Sequence, residues 1–299
     1  MLKIEGLVKR YGTRSVLKGL SLQILEGEIY GLLGPNGAGK TTTINILSNL
    51  LQADAGTIAI NGYPVSERTK PWLGIAPQEN LVYRSLSCGE NLDFFGRLYG
   101  LSGTDRRRRV QYCLDAVGLA DRRSTPAERL SGGMRRRLSM AIALMHNPKL
   151  IVLDEPTTGL DIEARYELWE LIRTLQRQGM TVLLTTHLLD EAERLCDRIG
   201  ILKEGAILKE GTLTELRTCI AAKEILTIQT ADEAAAIARA ESLGLPHRRY
   251  GSDLAFWLPE QWELKEIIDR FEGIPLDAVA RQPVRLEHIY IELTQQLNA

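Results

Sequence analysis

Residues 34–41 read GPNGAGKT, and no other stretch constrains the fold of this chain as strongly. Gly34, Pro35, Gly37 and Gly39 crowd a tight turn between the apolar run EIYGLLG and the helix-like run KTTTINILSNLL. Glycines leave backbone N–H groups uncovered, and successive N–H groups in a turn form a concave anion site. A helix starting at the same place adds the positive end of its dipole. Lys40 can then reach outer phosphates as a point charge, and the Thr41 hydroxyl can ligate Mg²⁺. The segment fits G-x-x-x-x-G-K-[ST] at every position, and that pattern requires a buried strand before it and a helix after it. Both are predicted here, so the segment reads as a nucleotide-binding loop rather than a Gly-rich loop with a stray lysine.

Composition narrows what surrounds the loop. At 299 residues, 44% hydrophobic and 25% charged, the chain is long enough for two globular domains. A net charge of −1 implies no strong global attraction to nucleic acid or anionic lipid. Cys88, Cys113, Cys196 and Cys219 stand far apart without a C-x-x-C pair, the pattern of reduced, buried thiols in a cytosolic protein. No apolar run approaches the roughly 18 residues of a membrane span. The N-terminal MLKIEGLVKRYG alternates like a strand and lacks a signal-peptide core. Any membrane role is expected to come through a partner chain, with the protein on the cytosolic side.

Period-two alternation in LKIEGLVK and LSLQILEGEIYGLL, followed by AGTIAINGYPV with its Asn-Gly turn, predicts strands flanking the loop and its helix. From about residue 86 to residue 146 the pattern is helical, with three candidate helices. KLIVLDEPTTGLD and MTVLLTTH then read as strands buried on both faces, with a helix through EARYELWELIRTLQRQG between them. This alternation predicts a three-layer α/β core, and GILKEGAILKEGT a hairpin that closes it. The first domain is placed at residues 1–218, with a helical insertion at about 79–146. The second, at 219–299, reads EILTIQT, ADEAAAIARAESLG, HRRY, LAFWL, EQWELKEIIDRFEG and PLDAVARQ. That is the β-α-β-β-α-β order of a ferredoxin-like unit, followed by a last helix LEHIYIELTQQL. It carries no phosphate loop and no ligand-spaced cluster, so it is expected to be an accessory domain.

Downstream of the loop, LIVLDEP ends an apolar strand on two carboxylates. Asp154 is placed to hold Mg²⁺ opposite Thr41 through a water, and Glu155 to polarise a water in line with a γ-phosphate. His187 ends TVLLTT at the carboxyl end of a parallel strand, where ligands of such sheets bind. Gln78, at the start of the helical insertion, is read alone as an exposed junction residue. Ser131 is an N-cap with Gly132 and Gly133 in the first turn of an amphipathic helix, which makes a second anion-ready helix end. If two copies met head to tail, this end of one copy would touch the γ-phosphate held by the other. Seen alone, it would be only a well-capped helix.

Taken in order, Tyr11, the loop with Thr42, Gln78, LSGGM, LIVLDEP, GLD and His187 resemble the ATP-binding subunit of an ABC transporter over about residues 1–218. The resemblance implies a P-loop ATPase core of the ABC type with an antiparallel β subdomain and an α-helical insertion. It implies ATP and Mg²⁺ as cofactors, a second ATP-binding subunit, and a separate transmembrane permease, with no direct nucleic-acid contact. By resemblance, Tyr11 stacks on adenine, and Gly34, Asn36, Gly37, Ala38, Gly39, Lys40, Thr41 and Thr42 bind the nucleotide. Glu155 is implied as general base, Gln78 as a sensor of Mg²⁺ and of the transmembrane partner, and His187 as the γ-phosphate switch. Ser131, Gly132 and Gly133 would act on the partner's ATP, and Asp161 would contact the opposing subunit. Met134 departs from the glutamine usual at the end of the signature motif, which puts that contact in doubt. QENLVYRSLSCGENLDFFGRLYGL and THLLDEAERLCDRIGILKEG resemble the drug, antibiotic and sodium exporter branch.

The basic runs DRRRR (105–109) and RRR (135–137) are read as solvated helix faces, with contact to anionic lipid or an acidic partner helix as the alternative. Leu81, Tyr83, Phe94, Phe95 and Leu98 are either core or the lining of a groove for a helix of the transmembrane subunit. A soluble ABC ATPase acting on ribosomes or DNA is the rival reading. It is weakened by the single ATP module and the absence of sustained heptads. A nonhydrolytic nucleotide sensor would be expected to lack the acid at position 155.

Overall fold

Alternating apolar residues in the first segment pair β1 (Leu2–Tyr11) with β2 (Arg14–Ile24), and β1 also pairs with β4 (Ala55–Ile60). Between them lie β3 (Ile29–Leu33) and α1 (Lys40–Leu47). Asn61 and Gly62 both take positive φ, 50° and 80°, as the tight turn to β5 (Tyr63–Pro64) requires. This gives an antiparallel sheet in the order β2-β1-β4-β5. The computed structural model describes residues 1–295.

The continuous apolar runs form the central sheet. It contains β6 (Leu73–Ala76), β7 (Leu150–Asp154), β8 (Thr181–Thr186), β9 (Arg198–Lys203) and β10 (Ala206–Gly211), with β3 in the middle. The order is β10-β9-β3-β8-β7-β6, with every pairing parallel except the β9–β10 hairpin. β3, β7 and β8 are buried along their whole length, as strands covered on both faces must be. Residues of α1, including Ile44 and Leu47, share one apolar cluster with Leu2, Ile4 and Leu20 of the antiparallel sheet and Leu32, Val152 and Leu183 of the central one.

The helical insertion contributes α2 (Cys88–Leu98), α3 (Gly103–Ala116) and α4 (Gly132–Leu144). Ser87 and Glu90 form a reciprocal capping box that starts α2, and Ser102 caps α3. α5 (Ile162–Arg177) and α6 (Leu189–Leu195) complete the crossovers around β8. α4 packs on β6 and β7, and α6 on β3 and β8.

Contacts divide the chain into Met1–Thr212 and a second unit that begins at Leu213. The second unit therefore takes α7 (Leu213–Arg217), a helix that composition alone assigns to the first domain. α7 packs against α10 (Leu286–Gln295). The second unit runs β11 (Glu224–Gln229), α8 (Glu233–Ser242), β12 (His247–Tyr250), β13 (Asp253–Leu258), α9 (Leu264–Arg270), β14 (Ala278–Pro283), and then α10. Its sheet is antiparallel throughout, in the order β12-β13-β11-β14. α9 is shorter than the helix expected over EQWELKEIIDRFEG. Trp262 instead turns into the core, with its indole N–H 3.3 Å from Glu260 Oε1 and the Arg270 guanidinium 3.9 Å over its ring. Gln296 and Leu297 of the expected last helix lie outside the described residues.

Candidate functional site

The turn from β3 into α1 has the conformation that its glycines predict. Gly37 and Gly39 adopt φ of 81° and 114°, open to glycine at little cost. At Gly34 the limit is space, since a Cβ there would lie 2.4 Å from the Leu202 carbonyl oxygen. Ala38 is buried beneath the turn. The Lys40 side chain is only 5% exposed and folds back over the loop, donating from Nζ to the carbonyls of Gly34 (2.7 Å) and Pro35 (3.3 Å). A cavity of about 380 Å³ opens above, lined by Tyr11, Arg14, Val16, Asn36, Gly37, Gly39, Lys40, Thr41, Thr42, Gln78 and Glu155.

Glu155 closes one side of this cavity. It follows the last residue of β7 and has φ of 46°, a left-handed conformation that costs a residue with a Cβ about 1–2 kcal/mol. Its backbone N–H donates to Thr185 O at 2.9 Å. Lys40 Nζ stands 3.2 Å from Glu155 Oε1. Three donors meet Oε2: His187 Nδ1 at 3.1 Å, and Gln78 Nε2 and Thr158 Oγ1 at 3.3 Å. Burial pushes the Glu155 carboxyl upward, but the hydrogen bonds from His187 and Lys40 outweigh it and hold the group below the usual carboxylate range. Asp154 is buried beside it, and Thr185 Oγ1 donates to its Oδ1.

The remaining expected residues form a separate group. Ser131 caps α4, its Oγ accepting from Met134 N at 3.2 Å. Gly133 leaves room for α5, since a Cβ on it would approach the Ala164 Cβ to 2.9 Å. Asp161 caps α5, Oδ1 accepting from Ala164 N at 2.8 Å, and Leu160 of the same loop lies by Gly132. None of Ser131, Gly132, Gly133 and Asp161 lines the cavity above the phosphate loop. Lys40, Gln78, Glu155 and His187 therefore converge on one centre, and the signature residues face elsewhere.

The family model for the ABC transporter matches residues 17–158. The linearmycin resistance ATP-binding protein of Bacillus subtilis is 42% identical over 243 residues, 80% of this chain and 78% of the relative. The Nod factor export ATP-binding protein I of Burkholderia orbicola is 38% identical over 289 residues, covering 96% and 94%. The chain belongs to the ABC transporter ATP-binding family. Among solved structures, an ATP-binding subunit of an ABC transporter superposes with a TM-score of 0.65 at 33% identity, over 73% of this chain and 92% of that one. A dimeric post-hydrolysis ATP-binding cassette holding ADP and phosphate superposes at 0.63 and 28% identity, over 71% and 98%. The chain is thus a nucleotide-binding ATPase with the ABC-type P-loop fold.

Several residues that the sequence did not single out stand within this ABC module's site. Arg14 lines the cavity between Tyr11 and the phosphate loop. Glu191, in the helix after His187, is fully buried and accepts from Thr157 Oγ1 (2.7 Å) and Trp169 Nε1 (3.2 Å), joining α6 to the loop after Glu155. Burial pushes its carboxyl upward. The run at 135–137 is not a solvated face. Arg136 is 3% exposed, and Arg137 pairs with Glu167 at 3.3 Å. The other basic run is divided. Arg106 pairs with Asp93 at 2.5 Å, and Arg109 donates to the carbonyls of Leu144 and Met145, while Arg107 and Arg108 are exposed. Leu81, Tyr83 and Leu98 are 58%, 49% and 65% exposed, so they are surface rather than core. Tyr83 and Phe94 meet edge to face at 4.8 Å beside them. Among the described residues no helix is long and apolar enough to cross a membrane.

Proposed function

We propose that this chain is the motor subunit of an export-type ABC transporter. Two copies meet head to tail, and each MgATP lies between the phosphate loop of one copy and Ser131, Gly132 and Gly133 of the other. Hydrolysis drives export through a separate transmembrane subunit on the cytosolic face of the membrane. The observation that carries the reading is the convergence of Lys40, Gln78 and His187 on the Glu155 carboxylate at the mouth of the loop cavity. The relatives' names support the export direction, since they include linearmycin resistance, Nod factor export and daunorubicin resistance proteins. The dimeric solved cassette supports the two-copy arrangement.

Tyr11, 49% exposed at the cavity rim, is the platform for adenine. The loop amides and Lys40 bind the phosphates. The donors available for Mg²⁺ are all oxygens, as that ion prefers: the Thr41 hydroxyl, Gln78 Oε1, and Asp154 through a water. Gln78 fits because its amide nitrogen already donates to Glu155, leaving Oε1 as the acceptor. When bound, the ion neutralises charge on the outer phosphates. An incoming γ-phosphate competes with Glu155 for Lys40. As Lys40 leaves, Glu155 loses one of the contacts that keep its proton affinity low, and becomes a better base for the attacking water. His187 then orients the γ-phosphate, and Asp161 meets the opposing copy. The exposed Leu81, Tyr83 and Leu98 surface beside Phe94 and Phe95 receives a short helix of the transmembrane subunit. The second unit, which begins at Leu213, is a ferredoxin-like accessory domain that modulates the dimer.

Glu155→Gln tests the reading. The variant should bind ATP, turn over at least about 100-fold more slowly, and sediment as a dimer with ATP and a monomer with ADP. Near-normal turnover in the purified variant would remove Glu155 from its role. One mass under both nucleotides, with and without the membrane partner, would remove the dimer.

A further inference from the structure

Arg136 is buried in the second turn of α4, and the Asp154 and Glu191 carboxylates favour its charge without taking a hydrogen bond from it. Its hydrogen bonds go to four backbone carbonyls. Nε reaches Pro156 O at 2.9 Å, Nη2 reaches Asp154 O at 2.7 Å, and Nη1 reaches Gln78 O at 3.2 Å and also Pro77 O. Sheet topology explains why those carbonyls need a donor. β6 is the edge strand, and its pairing with β7 ends at Ala76 and Leu153, so beyond it the two chains no longer pair with each other, although β7 still pairs Asp154 with Thr185 of β8. The planar guanidinium occupies the place of the missing rungs.

The positions it grips are the informative part. Asp154 and Pro156 flank Glu155, whose φ of 46° persists only if the neighbouring peptides are held. Gln78 is the residue whose side chain meets the same carboxylate. A buried cation is a costly way to fill space that an apolar side chain would fill. Here it satisfies carbonyls of both loops at once, from the helix whose first turn is capped by Ser131.

We infer that Arg136 is a positioning residue of the ATPase. It fixes the left-handed backbone at Glu155 and the Gln78 loop, and ties both to the helix that carries the signature residues. The inference rests on the proposed roles of Glu155 and Gln78, so Glu155→Gln is measured alongside as the control for that reading. The experiment uses the full chain with Arg136→Gln and Arg136→Lys, following ATP turnover, melting temperature, and affinity for a fluorescent methylanthraniloyl-ATP in EDTA and in Mg²⁺.

In EDTA both variants should bind within twofold of the parent, because the phosphate loop is intact. The gain in affinity on adding Mg²⁺ should fall fivefold or more in Arg136→Gln, and turnover tenfold or more with KM changed less than threefold. Arg136→Lys, which keeps the charge but not the fork, should lose at least threefold in turnover. It decides the matter if the glutamine variant does not fold. Parental turnover and Mg²⁺ response in Arg136→Lys, with only a lower melting temperature, would make Arg136 purely architectural and overturn the inference. Equal loss of affinity in EDTA and in Mg²⁺ would also overturn it. If Glu155→Gln itself turns over normally, the underlying reading fails instead.

Discussion

In the unit ending at Thr212, Lys40, Arg136, Asp154, Glu155 and Glu191 are all buried, and all gather around the phosphate loop and the carboxyl ends of β7 and β8. In the unit beginning at Leu213, buried His288 and Glu292 lie along one helix instead. Arg248 pairs with Glu292 at 2.9 Å and stacks 4.7 Å over Trp257, whose indole donates to Tyr250 at 3.2 Å. In the first arrangement Lys40 and Glu155, of opposite sign, face an open cavity where an entering ligand can rearrange them. The second matches each group to a partner that holds a helix on a sheet. Burying charge is unfavourable in both places. Lys40 can exchange its carboxylate partner for a ligand, whereas Arg248 and Glu292 in the second unit are matched to each other.

Lys40→Ala should break the comparison most visibly. Losing the ammonium that moves from Glu155 to the phosphates should cost about 3 kcal/mol of ATP affinity, roughly a hundredfold. Arg248→Ala should leave ATP affinity within twofold and lower the melting temperature of its own unit. Equilibrium binding and calorimetry on both variants check this. A nucleotide-affinity loss in Arg248→Ala as large as in Lys40→Ala would erase the distinction.

The two regions also differed in how far sequence alone could be read. The phosphate loop, Asp154, Glu155 and His187 were legible because local chain geometry fixes them: a tight turn, strand ends, and a helix start. The resemblance implies that Gln78 senses Mg²⁺ and the transmembrane partner, but its contact with Glu155 is not legible, since 77 residues separate them. The burial of Arg136 is not legible, because a run of three arginines carries no periodicity that says which member faces inward. Only the position of the β6 edge decides that. In the second unit the order of elements was legible from alternation and turns. The span of α9 was not, because burial of Trp262 overrode the helical pattern around it. Likewise α7 follows the core sequence but packs with α10, a tertiary choice that composition cannot encode.

A chain ended at Thr212 should sharpen the contrast with a smaller effect. Every residue that lines the loop cavity lies before the cut, so ATP affinity should stay within about threefold of the parent. Turnover should shift by roughly two- to fivefold in either direction if the second unit modulates the dimer. Nucleotide titration and steady-state rates measure both. An insoluble fragment, or one that no longer binds ATP, would mean that the second unit completes the fold of the first.

The smallest expected effect is the pH response that one buried imidazole gives the second unit. His288 is buried at the start of α10, its Nδ1 accepts from the Arg285 backbone N–H at 2.9 Å, and its ring meets Tyr250 at 4.8 Å. Burial, with the Arg285 charge added, pushes the imidazole from 6.5 down to about 4. Between those values the unfolded chain takes up a proton that the folded chain refuses, so stability of the second unit falls as pH drops through that interval and is flat above it. Glu155 behaves differently. Its folded value is depressed, so its contribution is complete above the ordinary carboxylate value of 4.5 and is lost only as pH falls below it. From pH 7 to 5 the second unit's melting transition should therefore move down by at least about 5 °C; burial also depresses His146 in the first unit, so the His288 share is read from the difference that His288→Gln makes. His288→Gln should flatten the second unit's response. If that variant keeps the full pH dependence of the second unit, buried His288 is not the group that sets the window.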